Sequence, residues 1–192
     1  MESLKNEISL YKQLNNIYQA KFNIFSHVQS NIKPITTFSG NGKVKLPFKI
    51  KGRLITSGTY KDNELGEFTL PYEELQRTMD KWVGVKIFSS HRIFQEIMGG
   101  KDPSIRDVLG KITLTEWNDE DNGIDFYADI LDEDIARKIN GGLINSISAG
   151  FSREISTEMI SGKQENYLRS IEPGEASMVF NPRDSKAIFK PI

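Results

Sequence analysis

A serine and a histidine, far apart in the sequence, are the residue types that nucleophilic catalysis commonly uses. Ser148 lies in a segment that alternates like a strand, and His91 follows shortly after the apolar run of residues 83–88. A serine hydroxyl is a weak nucleophile at neutral pH and needs a base that titrates near neutrality, which favours histidine. The chain contains only 2 histidines, His27 and His91, so imidazole catalysis depends on one of them. Ser148 and His91 are therefore candidates for a nucleophile and its base.

The residues around Ser148 are compatible with a site that a peptide backbone can approach. Ala149 and Gly150 are small, and small residues allow such an approach. Because side chains alternate along a strand, Ser146 shares a face with Ser148 and is a candidate for a supporting hydrogen bond. Each pattern also has a structural interpretation, since a Ser-x-Ser strand is more often a solvated face and a lone histidine is more often structural.

Composition excludes several classes of site and partner. The net charge is −1, from 25 basic and 26 acidic residues, whereas a dedicated nucleic-acid-binding protein usually has a basic excess. No apolar run approaches the length of a membrane span, and the polar N-terminus is unlike a secretory signal. With no cysteine, few histidines and no Gly-rich phosphate-binding pattern, we expect neither a metal nor a cofactor. We therefore expect an intracellular protein with no nucleic-acid or membrane partner.

Apolar spacing divides the chain into an N-terminal helix and a larger domain. Residues 4–28 carry apolar side chains at alternating steps of four and three, which predicts a helix with a short heptad seam. This helix either pairs with a partner or a second copy, or lies on its own domain. Residues 31–45 are typical of a linker. We therefore divide the chain into residues 1–45, helix and linker, and residues 46–192, the globular domain.

The globular domain is predicted to be mostly β with a few helices. Residues 71–82 and 133–140 have helical patterns, the second capped by Asp132, and Asn122-Gly123 predicts a hairpin turn. The predicted strands are residues 48–56, 83–88, 108–117, 124–131, 143–155, 167–171 and 176–180.

An ordered series of short segments, rather than one motif, extends from residue 52 to residue 187. The series contains Trp82-Val83-Gly84-Val85 leading to His91, then Ser148-Ala149-Gly150-Phe151, then Glu175-Ala176-Ser177. In their order and spacing these segments resemble the prohead proteases of tailed bacteriophages, relatives of the herpesvirus assembly protease. The resemblance implies an α+β, mainly β fold, namely a herpesvirus-protease-like closed antiparallel β-barrel flanked by a few helices, with an N-terminal helical extension.

The resemblance also implies roles for particular residues. Ser148 corresponds to the nucleophile and His91 to the general base, and Glu175 lies at the matched position for a third member. The herpesvirus branch uses a second histidine there, but His27 lies outside the matched region, so an acidic residue is expected. Glu175 also fits an exposed carboxylate in a turn, and Glu172 is the second choice. The oxyanion-binding amides are expected in a turn near residue 153.

The family's biology implies the partners and the location of the protein. Its members cleave scaffold and major capsid proteins, and often themselves, inside the viral procapsid in the host cell cytoplasm. A homo-oligomer is expected as well. The alternatives are a catalytically inactive module with the same fold that serves capsid assembly, and an unrelated β-barrel binding module without a Ser-His contact.

Overall fold

A computed structural model describes residues 44–62, 66–91 and 107–192 of the chain. The predicted helix over residues 4–28 and nearly all of the linker lie outside these described residues. Among the described residues, the first strand begins at Phe48.

Most of the described chain forms strands. The strands are Phe48–Thr56 (β1), Gly58–Asp62 (β2), Gly66–Leu70 (β3), Lys86–Phe88 (β4), Val108–Asn118 (β5), Gly123–Ile130 (β6), Ile147–Ile160 (β7), Lys163–Met178 (β8) and Phe189–Pro191 (β9). The helices among the described residues are Tyr72–Thr78 (α1), which continues as a 3₁₀ turn over Met79–Trp82, and Glu133–Asn140 (α2).

The strands form an open mixed sheet, so the expected closed antiparallel β-barrel is wrong. The strand order is β2-β3-β8-β4-β5-β6-β1-β9, and β7 pairs with β8 beside this path. β8 runs parallel to both β3 and β4, whereas the other ladders are antiparallel. An isolated bridge between Ser146 and Ile188 connects the start of β7 to the segment before β9, without extending into a ladder.

Local sequence signals account for β1, α2 and the hairpin between β5 and β6. β1 coincides with the predicted strand, and α2 begins after Asp132, whose Oδ1 accepts a hydrogen bond from Ile135 N at 2.8 Å. Acidic residues in the first turn of α2 and basic residues in its last turn complement the helix dipole. The hairpin turn contains Asn122 with φ 50, a conformation that asparagine tolerates.

The longest strands differ from the prediction. Residues 167–171 and 176–180 were expected as separate strands, but one strand, β8, runs through Pro173 and Gly174. A register shift between Gly150 and Phe151 accommodates this segment, because Glu175 pairs with Gly150 and Pro173 pairs with Phe151. The β7–β8 turn at Ser161-Gly162 was not predicted; positive φ values of 52 and 79 at these residues suit a tight hairpin.

Candidate active site

The central strand of the candidate site is β8, which has β7 along one edge and β4 on the other. Ala176 pairs with Ala149 of β7 and with Ile87 of β4, and Ser177 pairs with Ser148 and with Phe88. His91 follows β4 closely and Ser148 lies near the start of β7. The sheet therefore brings the predicted nucleophile and the predicted base to opposite edges of the same part of β8.

Glu175 of β8 contacts His91 directly. Its Oε1 is hydrogen-bonded to Nδ1 of His91, and the glutamate side chain is fully buried, whereas the histidine side chain is 24% exposed. Glu175 was considered as an exposed carboxylate in a turn, and the structure contradicts that alternative. With Glu175 ionised, Nδ1 carries the hydrogen and donates it, which leaves Nε2 as the basic nitrogen of His91.

Ser177 donates a hydrogen bond to the Glu175 carboxylate, and Gly150 leaves room for it. Neither was predicted as a site residue. Ser177 Oγ donates a hydrogen bond to Oε2 of Glu175, and its side chain is also fully buried. A Cβ atom at Gly150 would lie 2.9 Å from the Glu175 carboxyl carbon, so glycine leaves the space that the carboxylate fills. The alternation Glu175-Ala176-Ser177 was a usable signal, because it places both polar side chains on one face of a strand.

Ser148 lies beside the cluster of His91, Glu175 and Ser177 and, in the described part of the chain, makes no hydrogen bond to His91. It is half-buried and directly opposite Ser177, so their side chains share a face of the sheet. Ser148 and Phe88 are separated by two strand spacings, about 10 Å between Cα atoms. Among the described residues no hydrogen bond joins Ser148 Oγ to His91, although such bonds often form only once substrate is bound.

The other predicted site residues, Ser146 and Glu172, form hydrogen bonds to residues outside the cluster of His91, Glu175 and Ser177. Ser146 Oγ donates to Asn145 Oδ1 at 3.0 Å, and Glu172 accepts from Lys81 Nζ at 2.6 Å with a side chain that is 57% exposed. The expected oxyanion turn near residue 153 is wrong, since Arg153 is buried within β7 and its guanidinium lies 5.7 Å from the Phe68 ring centre.

A small, mostly apolar cavity of about 40 Å³ borders Ser148. Side chains of β1, β3 and β7 line it, including Leu54, Leu70 and Phe151, with Tyr60 and Asp184 on its polar side. Burial of Tyr60, and then the neighbouring Asp184 charge, raises the pKa of the tyrosine, because both disfavour the phenolate.

A much larger cleft, of about 710 Å³, does not contain Ser148, His91 or Glu175. Its charged side chains include Arg53, which pairs with Asp125 at 2.5 Å and with Asp121 at 2.9 Å. Hydrogen bonds from Lys186 and Arg53 lower the pKa of Asp121. We interpret this cleft as a surface held by ion pairs, because Arg53 pairs with Asp121 and Asp125, and Lys186 also pairs with Asp121.

The described residues contain neither a metal site nor a membrane-spanning helix, and no known protein compared with the chain matches it. In the part of the chain that the structure describes, no group of three or more acidic or histidine side chains is arranged to hold a metal. Within the same ranges, no helix has both the length and the apolar character of a membrane span. No protein-family model matches the chain, and no curated protein or solved structure does either. Function therefore has to be inferred from the arrangement of the side chains.

Proposed function

We propose that this protein is a serine endopeptidase in which Ser148 is the nucleophile, His91 the general base and Glu175 the third member. The observation that carries the proposal is the contact of the buried Glu175 carboxylate with Nδ1 of His91. A buried charge is costly unless it is paired or hydrogen-bonded, and here the partner is an imidazole that can exchange protons near neutral pH. Pairing with an imidazole, rather than with a lysine or an arginine, gives the buried carboxylate a neighbour that can serve as a general base.

The proposed reaction uses each group at a stated atom. Nε2 of His91 takes the proton from Ser148 Oγ as the oxygen attacks the peptide carbonyl carbon, and the C–N bond then breaks as Nε2 returns that proton to the leaving amine. Water hydrolyses the resulting acyl-serine by the same proton transfers. Glu175 holds the ring through Nδ1 and offsets its positive charge while the imidazolium exists.

The resemblance to prohead proteases supports a narrower proposal about substrates. It covers the ordered segments of residues 52–187, including those that contain His91, Ser148 and Glu175. We propose viral scaffold and major capsid proteins, and the protein itself, as substrates, cleaved inside the procapsid in the host cell cytoplasm. A homo-oligomer belongs to the same proposal.

One observation favours an alternative function. Ser148 and His91 make no hydrogen bond among the described residues, which suits a catalytically inactive module that serves capsid assembly. Such a module would keep the His91–Glu175 contact for stability alone. It would not activate Ser148.

Reaction with a fluorophosphonate separates these functions without requiring a known substrate. The purified full chain is incubated with the reagent, and the modified residue is located by mass spectrometry of peptides. We expect modification at Ser148, because the reagent phosphonylates serines that a base activates. Ser148→Ala and His91→Gln should abolish it, and time-dependent self-cleavage should disappear in the same variants.

Ser152→Ala is the matched control, since Ser152 lies on the same strand but pairs with Glu172 outside the cluster. This variant should react at the wild-type rate. Equal modification of the Ser148→Ala variant would show that the nucleophile is wrong. A wild-type protein that neither reacts nor cleaves itself would favour the inactive module.

A further inference from the structure

Ser177 is a polar residue beside the candidate site that the proposed mechanism does not use. Its side chain is fully buried, and its hydroxyl is bound to Glu175 Oε2. Burying a hydroxyl is unfavourable unless it has a partner, so this hydrogen bond explains how Ser177 is tolerated inside the protein. Because the hydroxyl is enclosed and already donates to a carboxylate, Ser177 is a poor candidate for a nucleophile.

The carboxylate of Glu175 is held at both oxygens. Oε1 contacts Nδ1 of His91 and Oε2 accepts from Ser177 Oγ. A carboxylate bound at one oxygen can rotate about the bond to its own Cγ, and rotation would turn Oε1 away from the imidazole. The bond from Ser177 resists this rotation, because Ser177 stands on the same strand, on the same face as Glu175.

The surrounding strands make this support rigid. Ser177 pairs with Ser148 on β7 and with Phe88 on β4, so its backbone has a strand on each side. Groups placed on strands are held more precisely than groups on loops. The hydroxyl is therefore fixed relative to both the nucleophile's strand and the strand that leads to His91.

We propose that Ser177 is a positioning residue, which orients the Glu175 carboxylate and through it the His91 ring. This inference rests on the proposed function. Ser177 contacts no substrate in this proposal and takes no proton. Its effect is to keep Nδ1 of His91 bound to Oε1, which leaves Nε2 available as the base.

Two variants of Ser177 and one control test this role. Ser177→Ala removes the hydroxyl, whereas Ser177→Thr retains it on a side chain that suits a strand. Thr115→Val is the control, because it removes another buried hydroxyl, bonded to Met79 O at 3.0 Å, without changing the side-chain volume. All three are expected to fold, as judged by circular dichroism and melting temperature.

The first measurement is the rate of fluorophosphonate inactivation as a function of reagent concentration. For Ser177→Ala we expect the limiting rate, kinact, to fall about 10- to 100-fold, as for the loss of one hydrogen bond to a charged group. The half-saturating concentration should stay within about 2-fold of wild type, since Ser177 does not touch the reagent. Ser177→Thr should recover most of the rate, and Thr115→Val should leave it unchanged.

The second measurement does not depend on catalysis. The chain has only 2 histidines, so the ring N–H signal of His91 can be assigned in nuclear magnetic resonance spectra by its loss in His91→Gln. Ser177→Ala should broaden or shift the Nδ1–H signal through faster exchange with water, and Ser177→Thr should restore it.

The outcomes separate the two proposals. An unchanged kinact and an unchanged Nδ1–H signal in Ser177→Ala would overturn the positioning role, even if Ser148 proves to be the nucleophile. A changed signal in a protein that shows no serine reactivity would keep Ser177 as the residue that orients Glu175 and would reject the protease. Equal losses in Ser177→Ala and Thr115→Val would show a general structural effect and would also overturn the positioning role.

Discussion

Glu175 and Asp184 are carboxylates held by hydroxyl groups, yet their partners differ in a way that bears on function. Glu175 is bound by Ser177 and by the imidazole of His91. Asp184 Oδ2 accepts from the backbone N and Oγ1 of Thr56, at 2.6 and 2.7 Å, and Oδ1 accepts from Lys186 N at 2.9 Å. Backbone amides and hydroxyls keep their protons at neutral pH, whereas an imidazole exchanges its proton there. Asp184 therefore fastens a loop to β1, and Glu175 is in a position to influence proton transfer.

Removing the charge at each carboxylate in turn should have the largest effect and tests whether the two carboxylates differ in function. We expect Glu175→Gln to lower the fluorophosphonate reaction rate by about 10³- to 10⁴-fold, because the amide no longer holds the imidazole in its required tautomer. Asp184→Asn should instead lower the free energy of unfolding by about 1–3 kcal/mol, since its amide nitrogen would face a donor, and leave the reaction rate nearly unchanged. Inactivation rates and chemical denaturation measure the two effects. Comparable rates in both variants would remove the distinction between the two regions.

A smaller effect is expected when the space occupied by the Glu175 carboxylate is filled. In Gly150→Ala the new methyl group would lie 2.9 Å from the carboxyl carbon, so the carboxylate has to shift from its position against His91. We expect the reaction rate to fall about 100-fold, a loss typical of a misplaced catalytic group. The control is Gly142→Ala, where no atom lies within 4 Å but φ is +72, so only stability should fall, by roughly 1–2 kcal/mol. If Gly150→Ala reacts like wild type, the carboxylate does not depend on this space.

The smallest effect concerns the pH dependence of stability near Asp184. Burial, and then the Asp184 charge, raises the pKa of Tyr60, whose hydroxyl donates to Thr56 O at 2.7 Å. Because the folded-state pKa lies above the unfolded value of about 10, the unfolded chain loses its proton first, and stability falls as the pH rises above about 10. Tyr60→Phe should flatten this alkaline decline in melting temperature, whereas Tyr72→Phe, at an exposed tyrosine, should not. An identical decline in wild type and Tyr60→Phe would assign the effect to other groups.

Some elements were predictable because their signals are local. The alternation of residues 48–56 corresponds to β1, and the side chain of Asp132 caps α2 as expected. The turn of the β7–β8 hairpin also has a local signal, the Ser161-Gly162 pair. The strand predicted over residues 143–155 differs from β7, which begins at Ile147 and continues to Ile160.

The strand order of the sheet was not predictable in the same way. Resemblance led to a closed antiparallel barrel, but β8 pairs in parallel with β3 and β4, and the sheet remains open. Nothing in the alternation of β8 distinguishes a parallel neighbour from an antiparallel one, because side chains alternate in both. The prediction of separate strands over residues 167–171 and 176–180 is wrong for a similar reason, since only the facing strand shows that a register shift absorbs Pro173 and Gly174.

The amino-acid sequence shows which residue types are available for chemistry: a single histidine in the globular domain, a serine followed by two small residues, and a Glu-x-Ser pair. It also predicts β1, α2 and the β5–β6 hairpin, because capping, alternation and turn preferences act between near neighbours in the chain. The pairing of the strands brings Glu175, rather than Glu172, into contact with His91. It also places the Ser177 hydroxyl and the space at Gly150 beside the Glu175 carboxylate. Those contacts join residues far apart in the chain, and their geometry depends on which strands pair and in which register.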